Sequence, residues 1–285
     1  MIGKKLKFHK VVIGTHPKFK DASKIAEQIA HLLIRKGLEV EVGIFSNLKI
    51  GDQDFLIALG GDGTMLRAGH LCAPSEIPIL GINLGKFGFL TEIDRSEWKE
   101  ALQLLLKGEY WLEKRMMLNV TQWRLGKKIG QWEALNDAVI SRGRIVRPIH
   151  LETHVDGRFL STYVADGIIL STPTGSTAYA LAAGGPILPP ELRNILLVPL
   201  APHLSIERAI VLAEGAVVSI ETHTDHEAVL SIDGQSPLNL RRDDRIEVRS
   251  GEHIVRFIRF EDPGYFYRNL TPHMNRNPSI GKNND

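Results

Sequence analysis

The chain has 285 residues, 43% of them hydrophobic and 24% charged, an ordinary globular composition with enough length for one large or two medium domains. Thirty-five basic against 33 acidic side chains leave a formal charge of +2, which excludes the strong basic field of a nucleic-acid binder. The single cysteine, Cys72, excludes an intrachain disulfide and points to a reducing, cytoplasmic setting.

In chain order, Lys4, Lys5, Lys7 and Lys10 precede only Val11-Val12-Ile13-Gly14. That is far short of the apolar region of a secretion signal, so these lysines read as a solvated edge. No apolar run approaches the ~20 residues of a membrane span, and no membrane partner is expected. Residues 10–14 predict a short strand, broken by Pro17. Ile25, Ile29, Leu32, Leu33 and Lys36 follow helical spacing, with Asp21 or Ser23 at the start and Gly37 at the stop. Val40, Val42 and Ile44 alternate as a strand. Residues 55–59 are a continuous apolar run suited to a strand covered on both faces, and 79–82 read likewise. Residues 96–106 predict a helix with Trp98, Leu102, Leu105 and Leu106 on one face. Strands alternating with helices predict an α/β domain with an open, mostly parallel sheet.

Near Tyr110 the pattern changes. Gly126-Lys127-Lys128 signals a hairpin within 118–135, and Asp156-Gly157 signals a second. Strands at 216–221, 228–232, 245–249 and 253–260 complete a β-rich second domain. The expected division is 1–112, 113–262 and a C-terminal tail at 263–285, whose last ten residues read as disordered.

Three segments carry chemistry. Leu59-Gly60-Gly61-Asp62-Gly63-Thr64 ends the 55–59 strand just before a predicted helix at 65–71. Glycines let a ligand approach the backbone, and the helix start offers unpaired N–H groups to a phosphate. Asp62 is the one side chain there able to take a proton from a hydroxyl or hold a metal. The spacing is neither a Walker loop nor a Rossmann fingerprint, and a plain turn with Asp62 capping the helix is the alternative. The second segment, 166–179, runs from Asp166 through Ser171-Thr172-Pro173-Thr174-Gly175-Ser176-Thr177-Ala178-Tyr179. Its hydroxyls and amides suit ribose, phosphate or an amide group, and Tyr179 could stack on a ring. A helix start capped by Ser176 or Thr177 is the alternative. The third, Leu135-Asn136-Asp137, can read an adenine edge or a ribose diol, though such pairs are common in turns.

Other features are read as structural. The eleven histidines show no metal spacing, and His223-Thr224-Asp225-His226 reads as a solvated loop. Ser171, Ser176 and Ser231 lack the nucleophile elbow of a serine hydrolase. Trp98, Trp111, Trp123 and Trp132 are spaced for packing. Asp243-Asp244 among Arg241, Arg242 and Arg245 reads as a solvated hairpin end.

Taken in order, these segments resemble the NAD kinase family. The match consists of Gly60-Gly61-Asp62-Gly63-Thr64, Leu84-Gly85-Lys86-Phe87-Gly88-Phe89-Leu90, Leu135-Asn136-Asp137, 166–179 with Ala182-Ala183-Gly184-Gly185-Pro186, and Ser231-Ile232-Asp233-Gly234-Gln235. The resemblance implies NAD bound in the cleft between an N-terminal α/β domain and a β-rich C-terminal domain. It implies ATP or polyphosphate as donor, a divalent metal ion such as magnesium, and a homo-oligomer, dimer or tetramer. Asp62 would be the catalytic acidic residue, acting on the 2′-hydroxyl of the adenosine ribose. Gly60, Gly61, Gly63 and Thr64 would meet the donor phosphates, with Gly63 and Arg67 near the dinucleotide. Phe89 would line the pocket, and Asn136 and Asp137 would contact NAD. Asp166, Thr177, Ala178, Tyr179 and Ala182 would contact its nicotinamide or adenine half, with Arg147 and Gln235 added. Val164 stands where some relatives carry a basic residue. The resemblance implies phosphorylation of NAD to NADP. The glycine turn alone is shared with lipid and sugar kinases, and a sensor that binds the dinucleotide without turnover is the non-enzymatic alternative.

Overall fold

A computed structural model describes residues 8–19, 21–85, 88–203 and 206–275. Lys4, Lys5 and Lys7 of the expected solvated edge, Lys86 and Phe87 of the family motif, and the last ten residues lie outside the described residues. The chain divides into two compact units, one made of Met1–Lys114 with Val255–Asp285, the other of Arg115–Ile254. The strand Arg245–Arg259 carries the chain back into the first unit.

In the first unit, Glu39–Ile44, Lys10–Thr15, Phe55–Gly60, Ile79–Asn83 and Ile93–Asp94 lie side by side, all parallel. Every residue of Phe55–Gly60 is buried, as its unbroken apolar run requires of a strand with both faces covered. Helix Ala22–Arg35 buries Ile25, Ile29 and Leu33 on one stripe, and Gly37 stops it at φ +89°. Helix Trp98–Lys107 buries Trp98, Leu102 and Leu105. These side chains join Val11, Ile13, Ile57, Leu80 and Ile82 in one core.

Two features of this unit differ from expectation. Residues 245–249 and 253–260 read as two strands, but Arg245–Arg259 is one, because Ser250 and Gly251 stay extended. The expected tail includes a helix, Tyr265–Asn275, and buries Tyr265 and Phe266. Its Asn- and Pro-rich composition conceals that anchoring.

The second unit has an antiparallel sheet in the order Ile210–Leu212, Ile195–Leu200, Gly167–Ser171, Asp137–Arg142, Ala228–Ile232, Leu238–Leu240. Its other strands include Arg158–Ala165, Ile149–Val155 and Val218–Thr222, which pair in that order, with Val218–Thr222 next to Arg245–Arg259. Ile168, Leu170 and Leu230 from the first set bury with Leu151, Ile220 and Ile246 from the second. Leu125-Gly126 and Asp156-Gly157 both turn with positive φ, the geometry that matches the twist of tight hairpins.

Asp244 corrects another expectation. It is fully buried, and its carboxylate accepts Arg124 Nε at 2.7 Å, Gln122 Nε2 at 2.8 Å and the Arg241 amide at 2.9 Å. Burial works against ionisation, but these donors hold the carboxyl below its ordinary range. Asp243 takes φ +63° and stays exposed. No helix among the described residues is long and apolar enough to cross a membrane.

Candidate active site

The glycine turn sits where strand Phe55–Gly60 ends and helix Asp62–Cys72 begins. Gly61 is the N-cap, its carbonyl accepting the Thr64 and Met65 amides at 2.8 and 3.1 Å. Asp62 makes no cap. Its carboxylate instead accepts the Phe89 amide at 2.9 Å on Oδ2 and the Leu90 amide at 3.0 Å on Oδ1. A β-carbon on Gly88 would fall inside the van der Waals radius of this carboxylate, so the 88–90 backbone can wrap it only with glycine there. Thr64 is buried against Gly60, where a β-carbon would strike its side chain. Gly61 and Gly63 face open space, and Arg67 is exposed on the helix. The unit therefore presents a braced carboxylate beside helix-start amides, an arrangement suited to phosphate and to proton transfer.

In the second unit three sequence segments converge. Strand Gly167–Ser171 pairs with Asp137–Arg142, placing Ser171 opposite Asp137, and Ala228–Ile232 pairs on the other side of Asp137–Arg142. Asp233 reaches across from the next turn and accepts three successive amides, Leu135 at 2.8 Å, Asn136 at 2.8 Å and Asp137 at 2.9 Å. Its own amide donates to the Asp137 carbonyl at 2.9 Å. Thr172 Oγ1 donates to the Leu135 carbonyl at 2.5 Å, and Ser171 Oγ to the Asn136 carbonyl at 3.1 Å. A β-carbon on Gly175 would collide with the Asn136 carbonyl.

The hydroxyl-rich turn therefore differs from its expected use. Ser171, Thr172 and Ser176 are fully buried. Ser176 Oγ donates to Pro173 and accepts the Leu188 amide at 2.9 Å, and Thr177 Oγ1 donates to the Thr174 carbonyl. Most of these hydroxyls build the loop and do not face a ligand, because buried polar groups must be paired. Neither Ser176 nor Thr177 caps a helix start. Thr177, Ala178, Tyr179, Ala182, Asn136 and Gln235 are among the residues that stay accessible, with Tyr179 half exposed.

Asp166 forms an ion pair with Arg142 Nε at 2.8 Å, while the Arg142 amide donates to the Asp166 carbonyl. Sequence reasoning missed Arg142, since its pairing depends on strand register. Arg147 lies exposed in the 143–148 loop and is not drawn to these groups by any described contact. The asparagine-aspartate pair has its own electrostatics. Asp137 is buried, and burial first, then the charge of Asp233, pushes its carboxyl up to about 7.

Between the ordinary 3.8 and about 7, the folded chain keeps a proton that the unfolded chain has released. Stability therefore falls as pH rises through that window and levels off above it, by on the order of a few kcal/mol in all. Thermal melts from about pH 5 to about pH 8 should show this fall in the native chain and a flatter profile in Asp137→Asn.

The histidines also group differently from their sequence spacing. His223 Nε2 lies 3.5 Å from Glu152 and 4.0 Å from Glu221, which face each other on paired strands. Sequence separation hides this group, which is the one set of three potential metal ligands among the described residues.

The model of the ATP-NAD kinase N-terminal domain matches residues 41–110, and that of the ATP-NAD kinase C-terminal domain matches 135–260. An NAD kinase of Chloroflexus aggregans is 39% identical over 262 residues, covering 90% of this chain and 95% of its own. One from Moorella thermoacetica is 46% identical over 212 residues, 74% of this chain and 68% of its own. A crystal structure of an NAD kinase from Archaeoglobus fulgidus in complex with ATP superposes with a TM-score of 0.73 at 26% identity, over 94% of this chain and 99% of that one. Yeast NADH kinase shares the fold with a TM-score of 0.82 at 24% identity, over 99% and 91%. The glycine turn, the asparagine-aspartate pair and the long hydroxyl turn all fall within the matched spans, and the chain belongs to the NAD kinase family.

Proposed function

We propose that Asp62 receives the proton of the adenosine ribose 2′-hydroxyl in the reaction of this family, the phosphorylation of NAD to NADP. The observation that carries the reading is the carboxylate held by two backbone amides at a glycine turn that opens a helix. The 2′-oxygen bonds to the γ-phosphorus of ATP as the bond from that phosphorus to the bridging oxygen breaks, releasing ADP. The hydroxyl proton passes to Asp62. Positioning and charge stabilisation supply most of the rate gain in such transfers.

Gly60, Gly61, Gly63 and Thr64 form the donor-phosphate turn, with Arg67 supplying positive charge nearby. Phe89, Asn136, Asp137, Arg147, Asp166, Thr177, Ala178, Tyr179, Ala182 and Gln235 hold the dinucleotide. Asp137 and Asp166 are anchored by the contacts above, which supports their place in a rigid binding surface. ATP is the donor here, a reading supported by the ATP complex of the Archaeoglobus relative, and polyphosphate is the second donor to test.

A divalent ion of the magnesium type fits this site. Each Asp62 oxygen accepts one backbone N–H and keeps a second lone pair, and magnesium needs only one or two protein carboxylates beside phosphates and water. Asp62 would hold it. When bound, the ion offsets charge on the transferring phosphoryl oxygens. The enzyme acts in the cytoplasm as a homo-oligomer.

A coupled assay of NADP formation, run with ATP and with polyphosphate in Mg²⁺, tests the activity. NADP accumulates in the ATP arm at least. Phosphorylation of diacylglycerol instead would move the chain to the lipid kinases, and tight NAD binding without product would make it a sensor. Gly88→Ala provides a separate check on Asp62. The added methyl displaces the carboxylate, and kcat should fall about tenfold or more while NAD binding survives, given how steeply rate depends on placement. Unchanged kcat would show that the carboxylate's position does not matter.

A further inference from the structure

We propose that Arg259 is a positioning residue for Asp62, acting through the main chain of Leu90. The inference rests on Asp62 being the catalytic carboxylate, and it adds how that group is kept in place.

Arg259 ends the strand Arg245–Arg259 and is 1% exposed. Its Nε and Nη2 both meet Glu113 Oε2, at 2.8 and 2.7 Å. Glu113 is itself buried and also accepts the Tyr265 hydroxyl at 3.1 Å. The guanidinium carbon lies 5.0 Å from the Phe257 ring centre and 5.3 Å from that of Tyr265. Packed this way, the planar fork has little freedom to move. Its remaining arm, Nη1, donates to the Leu90 carbonyl at 3.1 Å. The amide of that same residue donates to Asp62 Oδ1 at 3.0 Å. Three side chains and one backbone residue thus form a connected path from Glu113 to the reacting carboxylate.

Stability alone does not account for this arrangement. A buried ion pair is often matched or bettered by apolar side chains of similar volume. An apolar pair, however, leaves nothing to hold the Leu90 carbonyl. Glu92 fixes the next step of the chain, accepting the Phe260 amide at 3.1 Å and the Glu261 amide at 2.6 Å. The chain is therefore held immediately beyond the residue that reaches Leu90.

The test compares the full-length enzyme with Arg259→Met/Glu113→Leu, Arg259→Lys and Asp62→Asn. The double variant removes the Arg259–Glu113 pair together, and Glu92, which loses the nearby Arg259 charge, keeps its bonds from the Phe260 and Glu261 amides. It is expected to keep its melting temperature within a few degrees and its KM for NAD and for ATP, while kcat falls about 10- to 100-fold, the scale of a small misplacement of a reacting group. Exchange of the Leu90 amide should quicken in parallel. Arg259→Lys keeps the charge but has no fork to span Glu113 and Leu90, and it is expected to lose kcat to a lesser degree. A folded double variant with native kcat overturns the proposal. If the double variant does not fold, native kcat in Arg259→Lys overturns it. Asp62→Asn separates the two levels: near-native turnover there removes the catalytic reading of Asp62, whereas an inactive Asp62→Asn beside a fully active double variant removes only the role of Arg259.

Discussion

Asp62→Asn is expected to lower NADP formation by about 10²- to 10⁴-fold, the usual worth of a general base, while NAD binding stays measurable. The substitution keeps the size of the side chain but changes its hydrogen-bonding. The Phe89 and Leu90 amides each donate to one carboxylate oxygen. An asparagine offers one acceptor oxygen and one amino group, so one of these two donors would face another donor. The variant therefore loses both the proton acceptor and part of the wrap around it. Equilibrium NAD binding and rapid-quench turnover distinguish the two losses. Turnover collapses with binding retained if the carboxylate serves the chemical step, whereas equal loss of both would assign Asp62 to ground-state binding.

Asp233→Ala should have the largest effect on stability. One carboxylate satisfies the amides of Leu135, Asn136 and Asp137, and each buried N–H left without an acceptor costs about 1–3 kcal/mol. Water relieves part of that cost, leaving about 3 kcal/mol and a fall in melting temperature of roughly 6–12 °C for a domain of this size. The backbone at Asp233 adds to it, since φ is +47° and alanine tolerates that region less well than aspartate or asparagine. Asp233→Asn keeps an acceptor and the turn preference, and it should recover much of the loss. KM for NAD rises in Asp233→Ala because the braced 135–137 segment loosens. Calorimetry on the three proteins, with KM from initial rates, checks both expectations. A native melting temperature in Asp233→Ala would mean that water or other donors already satisfy those amides.

The glycine turn at Asp62 was legible in the sequence because its signal is local. A buried apolar strand, three glycines and one acid within a few residues specify a strand-to-helix bend with an accessible backbone. The alternating α/β pattern and both hairpin turns were legible for the same reason, each depending on residues close together in the chain. The supports of the site were not. Asp233 braces residues 96 to 98 positions away, and Leu90 is 169 positions from Arg259, separations at which one sequence carries no pairing information. The hydroxyls of Ser171, Thr172 and Ser176 misled in a different way. Residue type announces hydrogen bonding, but only burial decides whether the partner is a ligand or the protein's own backbone. Asp244 shows the same ambiguity, since a charged hairpin end and a buried ion pair are spelled with the same letters.

A structure of the enzyme with NAD bound tests the central claim most directly. The adenosine ribose 2′-oxygen should lie within about 2.6–3.2 Å of an Asp62 carboxylate oxygen, or be joined to it through a single water or a bound divalent ion. A ribose turned away from Asp62, with neither water nor ion joining them, would contradict the account.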